Sequence, residues 1–416
     1  MVCWPNLHEK RTMHPNLKYL FWKSAGFLFR RLRGSFLFFQ LLTASGLFAQ
    51  PFQVGHRQLS FSDSARSGRQ VNFELYYPAE TTGDDVPPAA GQFPVLAFGH
   101  GFVMPWSVYG VYWQSLVPQG YIMAFPTTEG SILPSHQNFG QDLAFLCRKL
   151  RQEGASPQSA FFNRVSGKCA VMGHSMGGGA SFLALQSDTS ISAMLSLAAA
   201  NTNPPSITAA ASVQKPSLVI SGANDCVAPQ DVHQIPMYNA LAAAEKTLVS
   251  ISGADHCQFA ASNFNCNLGQ STCSPQAAIS RQEQQNLTVS YLLPWLDFYL
   301  KGKCEAALQF QDLLAASVGI TSQQVSPLAC STTFSPAMKM RKQPAVFPNP
   351  ASSFIEVKPP GGLSSGIVRI RNVFGKEIQQ TELVSEQQRI SIRHLPAGCY
   401  YLSINDLPAA VFIRQD

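Results

Sequence analysis

The stretch CAVMGHSMGGGASFLALQ (Cys169 to Gln186) sets the tightest bound on what this chain folds into. A short apolar run of strand type meets a run with helical spacing. A single serine, Ser175, stands at the join in the pattern G-x-S-x-G. A strand that turns into a helix across one residue holds that residue at a strained backbone angle. Its neighbours two before and two after, Gly173 and Gly177, must then lack bulk. A plain glycine-rich turn has the same composition, so the rest of the chain must decide between the two.

Around this join the sequence alternates. Strand-like runs lie at Asn72–Tyr77, Val95–Phe98, Ile122–Phe125, Ala170–Gly173, Ala193–Leu197, Ser217–Ser221 and Thr247–Ile251. Helical patterns lie at Phe139–Glu153, Gly177–Gln186, Val232–Glu245 and Gln282–Leu300. Several strands are apolar throughout, as strands covered on both faces should be. The alternation predicts an α/β fold over residues 50–330, a mostly parallel sheet with helices on both faces. The segment 331–344 is polar, basic and proline-containing and reads as a linker. Beyond it, FIEV, GIVRIRNVFG, RISIRHL and CYYLSIN are short alternating runs without helical pattern. They predict a small all-β sandwich over 345–416.

The formal charge of +6 does not point to nucleic acid. Residues 1–49 hold seven Lys/Arg and one acid, which is +6 by itself; the remainder holds 23 of each sign. No basic patch is left to meet phosphates. The basic leader precedes SFLFFQLLTASGLFAQ, too short for a membrane span of about 20 residues and ending in small residues. Residues 1–49 therefore read as a secretory signal starting at Met1 or Met13, with an uncleaved anchor as the other reading. Export suits the ten cysteines. Cys3 lies in the leader and Cys399 near the C-terminus; the even set between them, Cys147, Cys169, Cys226, Cys257, Cys266, Cys273, Cys304 and Cys330, implies disulfides. No C-x-x-C pair occurs, which argues against zinc.

A serine hydroxyl needs a histidine to take its proton and an acid to orient that histidine. PSLVISGANDCVAP places Asp225 just past a strand, and TLVSISGADHCQFA places His256 just past the next. Carboxyl ends of strands are where open α/β sheets build sites, and the chain order Ser, Asp, His suits this sheet type. The candidate catalytic set is Ser175, Asp225 and His256. Asp231 is the alternative acid, although its position suits a helix N-cap. Asp255 adjoins His256 and cannot easily orient its ring, His174 reads as a packing residue, and His100 and His136 fit the chain order less well. Backbone N–H groups of Met176 and of Phe102, in the strand-to-loop segment VLAFGHGFVM, are the candidate oxyanion hole. In WSVYGVYW, Trp106 and Tyr109 are candidate substrate-binding residues, against the reading that this aromatic run faces a core. Cys226 follows Asp225 and Cys257 follows His256, so a bond between them would tie acid loop to base loop. Cys266 with Cys273 and Cys304 with Cys330 would complete the set, although pairing cannot be deduced from sequence alone.

On these motifs, residues 70–300 resemble the α/β-hydrolases related to dienelactone hydrolase and to bacterial cutinases and polyester hydrolases. GHSMGGG is similar to their nucleophile elbow, GANDCVAP to their acid loop, GADHCQFA to their histidine loop and LLPWLDFYLKG to their last helix. The resemblance implies serine ester hydrolysis through an acyl-enzyme, with no metal and no cofactor. One departure concerns the segment that in polyester hydrolases carries a substrate-holding Trp-Asn-Thr. Here it reads SLAAANTNPP, with Ala200 in the Trp position. A plain carboxylesterase is thus the first reading, and a cutinase-like polyester or lipid hydrolase the alternative. Residues 345–416 resemble the C-terminal sorting domain of type IX secretion, through FPNP, VRIRNVFGKEI and LPAGCYYLSI. That resemblance implies export through the periplasm of a Gram-negative bacterium to the surface or medium, with the secretion machinery as partner. A carbohydrate-binding or adhesive β module is the other reading of the tail. Beyond an ester substrate, no nucleic-acid partner is expected and the chain is expected to be a monomer. Amidase or peptidase action and a non-catalytic surface protein remain as rivals.

Overall fold

The computed structural model describes residues 52–317, 319–330, 344–372, 376–405 and 409–415. The signal reading of residues 1–49, with Cys3, and nearly all of the linker fall outside them.

Ten strands form one sheet: β1 (Gln53–Asp63), β2 (Arg69–Ala79), β3 (Gly83–Asp84), β4 (Phe93–Gly99), β5 (Ile122–Pro126), β6 (Val165–His174), β7 (Ala193–Leu197), β8 (Ser217–Gly222), β9 (Lys246–Ile251) and β10 (Ile320–Val325). Their order is β10-β9-β8-β7-β6-β4-β5-β2-β1-β3. The run from β5 to β9 is parallel, while β2 and β10 close it antiparallel on either side. The parallel strands are the ones the apolar runs predicted. The two-residue period of a strand splits their side chains between two cores. Val95 and Ala97 of β4 face one core with Phe139, Leu143, Phe182 and Leu183. Leu96 and Phe98 face the other with Tyr112, Leu292, Trp295 and Leu296. Helices α2 (His136–Ala155) and α3 (Met176–Ser187) cover the first face; α1 (Gly110–Leu116) and α7 (Arg281–Lys301) cover the second. This is the expected α/β-hydrolase architecture.

Two differences have physical causes. Strands β1, β3 and β10 were not expected, because strands at or next to the edges of the sheet, with mixed exposure, carry no apolar run. The helix expected over Val232–Glu245 is only α5 (Gln234–Ala240), after the short α4 (Ser206–Ala210). Its alanine-rich end gives way because Lys246 opens β9 there, and Lys246 Nζ takes the Tyr238 and Leu241 carbonyls that end the helix. The helices α6 (Phe264–Gln270) and α8 (Cys304–Ala316) were not expected either.

The tail contains β11 (Ala345–Phe347), β12 (Phe354–Lys358), β13 (Gly366–Asn372), β14 (Glu377–Leu383), β15 (Gln388–Ser391), β16 (Gly398–Ile404) and β17 (Ala410–Arg414). They form antiparallel sheets β11-β12-β15 and β14-β13-β16-β17. Ile355, Val357 and Ile390 of one pack with Val368, Leu402 and Phe412 of the other. Cys399 and Tyr401 of β16 join the hydrolase core that α7 lines, so the tail is seated on that helix.

Candidate active site

The strand β6 ends at His174 and α3 begins at Met176. Between them Ser175 has φ 53° and ψ −117°. No ordinary side chain favours that region, and a residue held there is held by its surroundings. The holding groups are the Leu197 carbonyl, which accepts from Ser175 N at 3.0 Å, and the Ala200 and Gly179 N–H groups, which donate to Ser175 O at 3.0 Å each. The carboxyl ends of β4 and β6 close on the first turn of α3 backbone to backbone. A Cβ on Gly99 would stand 2.8 Å from Gly177 Cα.

Asp225 follows β8 and His256 follows β9. Asp225 Oδ1 accepts from Val227 N at 2.9 Å and Ala228 N at 2.8 Å, which fixes the carboxylate. Its Oδ2 lies 2.7 Å from His256 Nδ1, and His256 Nε2 lies 2.9 Å from Ser175 Oγ. A carboxylate only accepts, so Nδ1 carries the ring proton and the Nε2 lone pair faces the hydroxyl. All three residues are buried. Asp225, His256 and Ser175 thus form a linear array able to deprotonate the serine as it attacks.

Neither Phe102 N nor Met176 N makes a hydrogen bond among the described residues. Met176 is the first residue of α3, where an N–H has no partner within the helix. Met176 N, next in the chain to the nucleophile, is thus a free donor of the kind an oxyanion requires. The loop that carries Phe102 is itself anchored: Gly101 N donates to Tyr109 Oη at 2.8 Å. Tyr109 Oη lies 2.9 Å from His174 Nδ1, and His174 Nε2 lies 3.0 Å from the His256 carbonyl. Burial holds the His174 imidazole well below its ordinary pKa, and the neighbouring His256 adds to this.

The remaining candidates fall elsewhere. Asp231 is exposed in the turn before α5, which is capped by His233, so it neither orients His256 nor caps the helix. Asp255 accepts from Gln258 N and from the Gln270 side-chain amide. His136 Nδ1 accepts from Asn203 N, and His100 stands against the Gly101 and Thr128 carbonyls. Trp106 lines a cavity of ≈ 820 Å³ with Phe73, Glu74, His100 and Met104; neither Ser175 nor His256 borders it. Tyr109 corrects the sequence reading. It is 0% exposed beneath the loop and holds backbone rather than lining a pocket.

The cysteine pairing also differs. Cys226 is bonded to Cys273 and Cys257 to Cys266, while Cys304 and Cys330 pair as expected. The side chains of Asp225 and His256 meet, so the next residue on each loop turns away from the other loop. Both cysteines instead reach the segment 264–273. Cys147 and Cys169 are buried thiols. Sequence reading missed Gln270, which accepts from Cys257 N at 2.8 Å. Its position between two cysteines bonded to the site loops was the available signal.

A serine, an aspartate and a histidine in that chain order, at the carboxyl ends of the parallel strands β6, β8 and β9, define a serine hydrolase of the α/β class. The profile of the PET hydrolase-like family matches residues 42–275, more than half of the chain, and the chain belongs to that family. A second profile, described as a secretion system C-terminal sorting domain, matches residues 345–411. The chain is 27% identical over 184 residues to the bis(hydroxyethyl) terephthalate hydrolase of Streptomyces coelicolor. That stretch covers 44% of this chain and 54% of the relative, so the chain spans about half of the relative's length.

Proposed function

We propose that the protein is an exported carboxylesterase. Ser175 attacks the ester carbonyl while His256 takes its proton and then protonates the departing alcohol. Asp225 orients His256 and stabilises its charged form. Phe102 N and Met176 N receive the oxyanion, and water releases the acid in a second half-reaction. The observation that carries this reading is the unbroken contact from Asp225 Oδ2 through the His256 ring to Ser175 Oγ. The tail's match to a sorting profile supports delivery by the secretion machinery to the cell surface or medium.

A second reading, a hydrolase of large apolar esters including polyesters, is favoured by the rim. Phe102, Ile132, Leu133, Val227 and Phe264 are exposed, all on segments beyond the carboxyl ends of strands. The terephthalate-ester relative agrees with it. The test is hydrolysis of p-nitrophenyl esters from acetyl to palmitoyl by the full chain, with Ser175→Ala alongside. Short-chain activity lost in Ser175→Ala supports the esterase. Rates rising with chain length favour the second reading and justify polyester films. A folded chain that turns over no ester refutes both and moves weight to amide bonds, or to a binding role if fluorophosphonate labelling also fails.

A further inference from the structure

The side chain beside the nucleophile has its own hydrogen-bond chain, and chemistry fixes its direction throughout. The His256 carbonyl can only accept, so His174 Nε2 must be the protonated nitrogen at 3.0 Å. In the neutral ring that burial enforces, Nδ1 is then an acceptor, and it is nearer and stronger than the Met104 thioether that Tyr109 Oη also faces at 3.4 Å, so Tyr109 donates its hydroxyl proton to Nδ1 at 2.9 Å. The Tyr109 oxygen is left to accept from Gly101 N at 2.8 Å. The sequence of donors therefore runs from Gly101 N–H to Tyr109 O–H to His174 Nδ1, and from His174 Nε2–H to the His256 carbonyl. Both side chains are fully buried.

We propose that Tyr109 and His174 are positioning residues that set the Phe102 N–H relative to the catalytic histidine. Gly101 and Phe102 share a peptide neighbourhood. The Gly101 N–H anchors the peptide just before the one that presents the Phe102 N–H; the carbonyl of that second peptide, Gly101 O, accepts from Met104 N at 3.1 Å, and Tyr109 Oη also touches Met104 Sδ at 3.4 Å, so the tyrosine supports the donor peptide from both sides of Gly101. The same chain ends on the backbone of His256, so the donor loop and the base loop are tied through the residue next to Ser175. Oxyanion donors act by being aimed where charge develops, and a small misplacement weakens them in the transition state far more than in the ground state. This inference rests on the esterase reading.

The test uses the full chain carrying Tyr109→Phe, His174→Asn or His174→Phe. Turnover of p-nitrophenyl butyrate is normalised to serines titrated with a fluorophosphonate, and the rate of fluorophosphonate labelling is measured in parallel. Tyr109→Phe is expected to lower kcat by roughly 10- to 100-fold, below the ~100- to 1,000-fold loss for removing a donor outright. KM should stay within about twofold, because ground-state binding is untouched. His174→Asn can still accept from Tyr109 near the Nδ1 position, so it should retain more kcat than His174→Phe. A Tyr109→Phe kcat within threefold of wild type overturns the proposal whatever happens to stability. So does equal impairment in His174→Asn and His174→Phe, which keeps the proposal open to refutation if Tyr109→Phe fails to fold. If the wild type turns over no ester yet is labelled by the fluorophosphonate, the esterase reading fails, and the labelling rates still decide whether this chain positions the donor.

Discussion

Asp225→Asn separates the electrostatic role of the acid from its structural one. Asp225 Oδ1 accepts one buried and one part-buried backbone N–H group, and Oδ2 accepts one ring N–H. An asparagine must choose which side keeps an oxygen. Facing its NH2 toward Val227 N and Ala228 N would leave one buried donor unpaired, at about 1–3 kcal/mol, and one part-buried donor at less. The amide therefore keeps its oxygen on the loop by at least about 1–3 kcal/mol. Its NH2 then points at His256 Nδ1, which must become the acceptor. The ring proton moves to Nε2, and Ser175 faces a donor in place of a base. The loss in kcat expected for this tautomer inversion is on the order of 10⁴, the size seen for the equivalent change in the serine-protease triad. That corresponds to about 5.4 kcal/mol in the barrier. The assay is kcat and KM on p-nitrophenyl butyrate, with denaturant unfolding as control; KM and stability should change little. An Asp225→Asn enzyme that keeps more than a tenth of wild-type kcat refutes the tautomer reasoning. If Asp231→Asn is then the inactive variant, Asp231 is the acid after all.

His174 carries a pH signature. Its folded pKa lies well below the ordinary 6.5, so between those values the unfolded chain holds a proton that the folded chain does not. Its contribution to stability is therefore present above pH 6.5 and is lost as pH falls, by up to about 1.4 kcal/mol per unit. Urea unfolding at pH 6.5 and 5.0 should show that slope in the wild type and lose it in His174→Phe. Gly99→Ala forces a methyl against the Gly177 backbone two residues past the nucleophile, so thermal melts should show a midpoint several degrees lower and kcat should fall as the elbow shifts. A non-reducing peptide map should join Cys226 to Cys273 and Cys257 to Cys266, and Cys226→Ser should cost about 2–4 kcal/mol in unfolding. Cys399 is buried where β16 meets α7, and burial pushes its thiol up to about 12. Iodoacetamide at pH 8 should leave it unlabelled until denaturant is added; complete labelling of the native chain would mean that the tail does not sit on α7.

The parallel strands and the positions of Ser175, Asp225 and His256 were readable because both depend on local pattern. A strand covered on two faces must be apolar, and an elbow needs glycines at fixed offsets. What was hidden depends on pairing at a distance. The strand β1 is polar by alternation and exists only because β2 pairs with it. Tyr109 looked like a pocket residue because an aromatic run does not reveal which ring owns a buried hydroxyl. The cysteines showed that the acid and histidine loops are fastened. They did not show that a third segment, 264–273, does the fastening, because which way a side chain leaves a loop is decided by its neighbour's contacts.

The floor beneath Ser175 consists of backbone pressed on backbone at Gly99 and Gly177. A surface with no side chains offers nothing to exchange, so the floor under the nucleophile has no room for an added side chain. A lineage that changes its diet, or an engineer seeking a new ester, has to work at the circumference. On the proposed function, the exposed side chains Ile132, Leu133, Val227 and Phe264, beyond the carboxyl ends of strands, are where a substitution is expected to alter what is grasped without moving the triad.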